Sequence, residues 1–354
     1  MRVPPVGMSE SSPVLSPNAS VRHAFLLGRG RSGTTWISQI LNRFAACVYK
    51  HEPFNPGKSA VYSTWLDQLG TASAAASRET YDALVRGCVH DVDYPPFLPG
   101  KTCRRQPIAL LRATWQLGKV LPPLKGVYQW YGKPQLGAGD WALTKQVNFP
   151  NEKLPALTEA LRPKLIAVLR GPFASVSSSL RFYAKTPAAE LRPDHALARV
   201  SELTAQLADE LPGLRPYTTA ELADLSNAAF EALRWRIQTE PLARLATRYD
   251  DGMIVTHEAF AADPLRHTEQ ALAFLGWPLE EAVLDFVRST TSGTKHRAFA
   301  SEKKKQHGVH RGPEEAVQRW QRDLDEQQIT DVASIIAPSE LLEHWPDQAA
   351  PRRA

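Results

Sequence analysis

The sequence has few cysteines and no long apolar run. Cys47, Cys88 and Cys103 are the only three in 354 residues. An odd number without metal-ligand spacing excludes a disulfide framework and a zinc motif, and reads as three reduced thiols of an intracellular protein. Nowhere do about 18 apolar residues run together, and Met1–Ser20 lacks the apolar core of a signal peptide. The expectation is a cytoplasmic protein with no membrane span. Charge is also sparse: 22% of residues are charged and the net charge is +5. That balance suits an anionic ligand and is too diffuse to argue for nucleic acid. What remains is a hydrophobic fraction of 43%, enough for a globular core, and no internal repeat.

The stretch around which the chain is organised is His23–Trp36, HAFLLGRGRSGTTW. Ala24–Leu27 has the composition of a buried parallel strand, Gly28, Gly30 and Gly33 permit a tight turn, and an amphipathic helix follows. Backbone N–H groups of such a loop converge on one concavity, and the positive end of the helix dipole adds to their pull on a phosphate or sulfate. Gly28-x-x-x-x-Gly33-Thr34-Thr35 is the Walker A spacing with Thr34 where the lysine belongs, so ATP hydrolysis is disfavoured. The positive charge sits instead on Arg31.

Arg31-Ser32-Gly33-Thr34-Thr35-Trp36 resembles the 5′-phosphosulfate loop of the sulfotransferases that use 3′-phosphoadenosine 5′-phosphosulfate (PAPS). Arg in place of Lys at 31 is closer to the carbohydrate and tyrosylprotein types than to the cytosolic ones. The resemblance implies a nucleotide site at Arg29, Gly30, Arg31, Ser32, Gly33, Thr34 and Thr35, with Trp36 where cytosolic members stack a Trp on the adenine. The plainer reading is a glycine turn with a core Trp. Golgi members of the family carry a membrane anchor that is not found here, so the expected setting is bacterial.

A second anchor is Lys164–Pro172, KLIAVLRGP: a strand that delivers Arg170 to the mouth of a parallel sheet, where ligands of such sheets bind, before Pro172 opens a helix. Ser178 follows Arg170 by eight residues, as in the family's 3′-phosphate motif; Ser175, Ser177 and Ser179 are neighbouring candidates. Glu52 lies 21 residues after Arg31, a position that resembles the glutamate base of tyrosylprotein-type enzymes. His51 is its rival, since cytosolic members use a histidine. Lys145, ending a short strand Trp141–Lys145, falls where relatives place a lysine on the leaving oxygen, although Gln146 replaces their usual acid. Lys303, Lys304 and Lys305 occupy the position of the loop that wraps the 3′-phosphate end, and Val317–Leu324 resembles the family's terminal helix.

Strands alternating with helices imply a parallel sheet. The expected fold is α/β, a P-loop-like three-layer architecture. A disordered leader over 1–21 precedes a single domain over 22–337, with helical insertions at about 55–140 and 187–250, and a frayed tail over 338–354. Trp115, Tyr128, Trp130, Tyr131 and Trp141 are candidates for an aromatic acceptor wall or for the first insertion's own core. The function so implied is transfer of the PAPS sulfonate to a hydroxyl of a saccharide or other alcohol, without a metal. A P-loop kinase using Mg-ATP, lacking its lysine, and a nucleotide-binding protein without chemistry are the alternatives.

Overall fold

A computed structural model describes residues 20–137, 139–184, 186, 192–291 and 317–349. Five strands form one wholly parallel sheet: β1 (Arg22–Gly28), β2 (Cys47–His51), β3 (Trp141–Val147), β4 (Lys164–Leu169) and β5 (Gly252–Thr256), in the order β2-β3-β1-β4-β5. β1 lies in the centre, so the loop that follows it opens in the middle of the sheet's carboxyl edge.

The two-residue period of the strands sorts side chains onto two apolar layers. Ala24, Leu26, Ile166 and Val168 face α1 (Thr34–Leu41) and the helices Pro264–Leu275 and Glu281–Thr291. Phe25, Leu27, Leu165, Ala167 and Leu169 face the opposite layer, built from α2 (Ala60–Gln68), α3 (Ala74–Arg86), α6 (Leu154–Leu161), α7 (Pro172–Tyr183), the long helix Asn227–Arg248 and the helix Glu326–Ile336. This is the expected three-layer α/β architecture. Between α3 and β3 stand α4 (Ile108–Val120) and α5 (Lys125–Tyr131), which pack on a small core of Cys88, Phe97, Leu111, Trp115 and Tyr128. A separate cluster joins Asp194–Leu207 to the long helix through Leu197, Val200, Phe230 and Leu233.

Several expectations are corrected. Val21, assigned to the leader, is fully buried in the main core. β3 continues two residues past Lys145, to Val147. α5 covers Lys125–Tyr131. Asn151 opens a 3₁₀ turn and its amide donates to the Ile237 carbonyl at 2.6 Å. The second insertion is not one continuous helix: a break precedes Asn227, where Ser226 accepts from the Ala229 N–H and caps the long helix. β5 is an edge strand with only Val255 buried. The expected frayed tail packs Leu341, Leu342 and Trp345 into the main core, with Trp345 edge-on to Trp235 of the long helix. Lys303, Lys304 and Lys305 lie outside the described residues.

Candidate active site

β1 ends at Gly28, where a Cβ would lie 2.6 Å from Ser32 Oγ and 2.7 Å from the Val168 carbonyl. Only glycine fits there, and the chain folds back at once: Ser32 N–H donates to the Arg29 carbonyl at 3.1 Å. Arg31 and Gly33 both take the left-handed conformation, with φ of 75° and 91°. Alternation into that region turns successive N–H groups toward one hollow. Gly33 is the N-cap of α1 without a side-chain cap, so the N–H groups at the start of the helix are open to an anion. Ser32 Oγ is buried with no hydrogen-bond partner among the described residues.

The two sequence anchors meet. Arg31 Nε donates to Ser178 Oγ at 3.1 Å, and Arg170 Nη1 donates to the Arg31 carbonyl at 2.9 Å. Phe182 supports the Arg31 guanidinium, with Cζ 5.2 Å from the ring centroid. Burial pushes the Arg170 pKa down to about 10, with Arg181 and Arg31 adding and Glu258 opposing. Like charges gathered in a dry cleft are relieved by an anion. The cluster fits a bound anion such as a phosphate.

Every serine in the run on α7 has a side-chain partner. Ser178 holds Arg31, Ser177 donates to Asp323, and Ser175 and Ser179 accept from Arg29 Nη1 at 2.8 and 3.1 Å. Arg29, expected in the nucleotide set, has its side chain engaged by groups of the protein itself. It is buried, donates to Gln238 Oε1 at 3.1 Å and pairs with Glu231 on the long helix. It fastens the loop to the helices behind it.

On the other side of β1 the register sets His51 opposite Lys145. Lys145 is only 1% exposed and pairs with Glu52, whose own N–H donates to the Lys145 carbonyl at 2.7 Å. Asn55 Nδ2 donates to the second Glu52 oxygen at 2.6 Å, and Lys58 Nζ stands 3.7 Å from it. Burial pushes the Glu52 carboxyl up, yet Lys145, His51 and Lys58 together hold it below the usual glutamate range. Burial lowers Lys145 despite its partner. Gln146 braces this corner, accepting from the Phe54 N–H at 3.1 Å and donating to Asn55 at 2.7 Å.

His51 faces a different set of groups. Its Nδ1 is 2.9 Å from the Tyr49 hydroxyl, which is 3.0 Å from Ser38 Oγ, and Ser38 donates to the Thr35 carbonyl at 3.0 Å. Ser38 has one proton, so Tyr49 donates to Ser38 and His51 Nδ1–H donates to Tyr49. The imidazole stacks on Tyr94, centroids 5.2 Å apart.

Trp36 is half-buried on α1, edge-on to Phe260 and His257, with its indole N–H 3.3 Å from Thr290 Oγ1. Of the aromatic-wall candidates, Trp115, Tyr128 and Trp141 are buried and Tyr131 packs on the first insertion's core, so they fill interiors; Trp130 points outward.

Two residues were missed. Asn148 donates its backbone N–H to the Gly28 carbonyl and accepts from Gly30 N–H through Oδ1, both at 2.9 Å; its φ of 51° suits asparagine. His257 lies against Gly33, where a Cβ would come within 2.2 Å of its ring. Each follows the carboxyl end of a strand, which is the signal that could have found it. Among the described residues no group of three His, Cys, Asp or Glu could hold a metal, and no helix is long and apolar enough to cross a membrane.

The family model described as the sulfotransferase domain matches residues 21–346. Among solved structures the fold is similar to mouse sulfotransferase SULT7A1 complexed with PAP (12% identity, 93% of this chain and 90% of that one, TM-score 0.48). It is also similar to the sulfotransferase domain of the Synechococcus PCC 7002 olefin synthase (15%, 92% and 98%, 0.43) and to sulfotransferase STF9 from Mycobacterium avium (15%, 94% and 78%, 0.40). No curated protein sequence matches this chain.

Proposed function

The chain belongs to the sulfotransferase family, and we propose from that premise that its acceptor is a hydroxyl of a saccharide or other alcohol and that Glu52 takes the acceptor's proton. The enzyme transfers the sulfonate of PAPS and releases adenosine 3′,5′-bisphosphate. The match over 21–346 sets aside the kinase alternative.

Such a transfer needs a deprotonated acceptor, cations on the charge that develops on the leaving phosphate, and in-line placement. In our reading the acceptor oxygen attacks sulfur, its proton goes to Glu52, and the electron pair of the breaking S–O bond stays on the 5′-phosphate. Arg31, the loop N–H groups and Lys145 meet that charge, and Arg170 with Ser178 holds the 3′-phosphate. The observation that carries this reading is the Glu52–Lys145 pair at the same sheet edge as the Arg31, Arg170 and Ser178 cluster. It is a base beside a cation, each aligned by the backbone of the other. A saccharide or other alcohol is favoured over a phenol by Arg31 and by the Glu52-Pro53 sequence. A cytoplasmic, bacterial setting belongs to the same proposal.

A thermal-shift titration with adenosine 3′,5′-bisphosphate beside Mg-ADP tests the nucleotide part. Saturation at ~100 times the dissociation constant adds about 2.7 kcal/mol of native-state stability. Stabilisation by the bisphosphate alone, abolished in Arg170→Ala, is the expected result. An acceptor panel tests the rest, and sulfonation confined to phenols would overturn the saccharide or alcohol assignment.

A further inference from the structure

The helical pair α4–α5 is apolar on two sides. Its inner face, Leu111, Trp115 and Tyr128, is buried in the insertion's own core. The outer stripe of α4, Leu110, Leu117 and Val120 with Leu121 beyond its end, repeats at helical spacing and is exposed. Val127 and Trp130 on α5 add to it, with Val120 73% and Trp130 76% exposed. Lone exposed apolar residues need no explanation, but six of them on one helical pair mark an interaction surface.

Charge says what covers it. Residues 101–139 contain seven Lys and Arg and no Asp or Glu, more positive charge than the net +5 of the whole chain. Lys101 and Arg104 turn inward to backbone carbonyls and Asp93, and Lys125 pairs with Asp91. Arg105, Arg112, Lys119 and Lys133 are exposed around the apolar stripe. A second copy of this surface would bring like charges together. Leucine, valine and an outward tryptophan ringed by basic side chains are what an interfacial helix presents to an anionic bilayer.

We propose that α4–α5 docks on an anionic lipid surface, with Leu110, Leu117, Val120, Val127 and Trp130 entering the headgroup boundary and Arg112 and Lys119 meeting lipid phosphates. The docking helices touch the acceptor side of the site. Trp115 packs edge-on against Tyr94 at 5.5 Å, and Tyr94 stacks on His51. The surface itself contains none of the residues assigned to catalysis or nucleotide binding.

Co-sedimentation of the full chain with vesicles of phosphatidylcholine, with and without phosphatidylglycerol, tests this. We expect binding only to the vesicles containing phosphatidylglycerol, weakened by raised salt. Arg112→Gln with Lys119→Gln should weaken it about thirtyfold, the effect of two charges near an anionic surface. Leu117→Gln with Trp130→Ser should abolish it, and Val127→Asp gives an independent second variant. Each variant should keep the wild-type melting temperature and its shift with adenosine 3′,5′-bisphosphate, which separates loss of docking from loss of fold or of the nucleotide site. Equal binding to neutral vesicles, no binding to anionic ones, or variants that bind as wild type would overturn the proposal. So would a dimer in sedimentation velocity that disappears in Leu117→Gln/Trp130→Ser while vesicles are ignored, since the stripe would then join two copies.

Discussion

Arg31 Nε donates to Ser178 Oγ across 147 residues, joining the loop after the first strand to the helix after the fourth. The loop and the helix are therefore tied to each other by their own side chains. Ser175, three residues earlier on the same helix, instead serves Arg29 from behind the loop.

That division predicts opposite phenotypes for neighbouring serines. Ser178→Ala should lower affinity for adenosine 3′,5′-bisphosphate by about tenfold or more, the cost of a hydrogen bond to a charged group, with little change in the urea midpoint. Ser175→Ala should lower the midpoint and affect affinity less. Calorimetric titration beside urea unfolding reads both, and equal affinity losses would refute the division.

The phosphate loop was legible because its backbone demands leave a mark in the sequence: glycines at Gly28 and Gly33, a strand before and a helix after. Arg170 and Ser178 were legible because a strand, a proline and a helix fix their relative places. The direction of the Arg29 side chain was not legible, because sequence gives a residue's position in a loop and not the side to which it turns; its partner Glu231 lies 202 residues away. His257 and Asn148 stand alone at strand ends, and only the sheet order, which is a long-range property, brings them against Gly33 and Gly30. The first insertion's aromatics could be core or wall by composition, and packing made most of them core.

Glu52→Gln should keep bisphosphate affinity and lose at least ~10²-fold in turnover, as removal of a general base does. The pH profile discriminates it from its neighbour. Glu52 is held below the ordinary glutamate value by Lys145, His51 and Lys58 against the effect of burial. The acid limb of kcat/KM should therefore lie below about pH 4.3, the unperturbed value. A limb near about pH 6.5 would hand the role to His51.

Burial, with Arg170 nearby, pushes the His257 pKa down to about 3. A histidine depressed on folding binds its proton more readily in the unfolded chain, so the stability it contributes is present above about pH 6.5 and is lost as pH falls toward its folded value. Between pH 7.5 and 5.5 that loss is about 1.4 kcal/mol. Urea midpoints at the two pH values should show it in the wild type and lose that increment in His257→Gln. An identical pH dependence in both proteins would mean that His257 is not buried neutral against Gly33.

Arg29 and Glu231 are both buried, and their pairing ties the phosphate loop to the long helix. Arg29→Ala would leave Glu231 with Arg234 as its remaining partner. Breaking one side of a buried pair costs about 3–5 kcal/mol, whereas replacing both partners by apolar side chains is often near neutral. Arg29→Met with Glu231→Leu should therefore recover most of the stability that Arg29→Ala loses. Bisphosphate affinity should recover with it if Arg29 only positions the loop. Restored stability without restored affinity would instead return Arg29 to the nucleotide's own contacts.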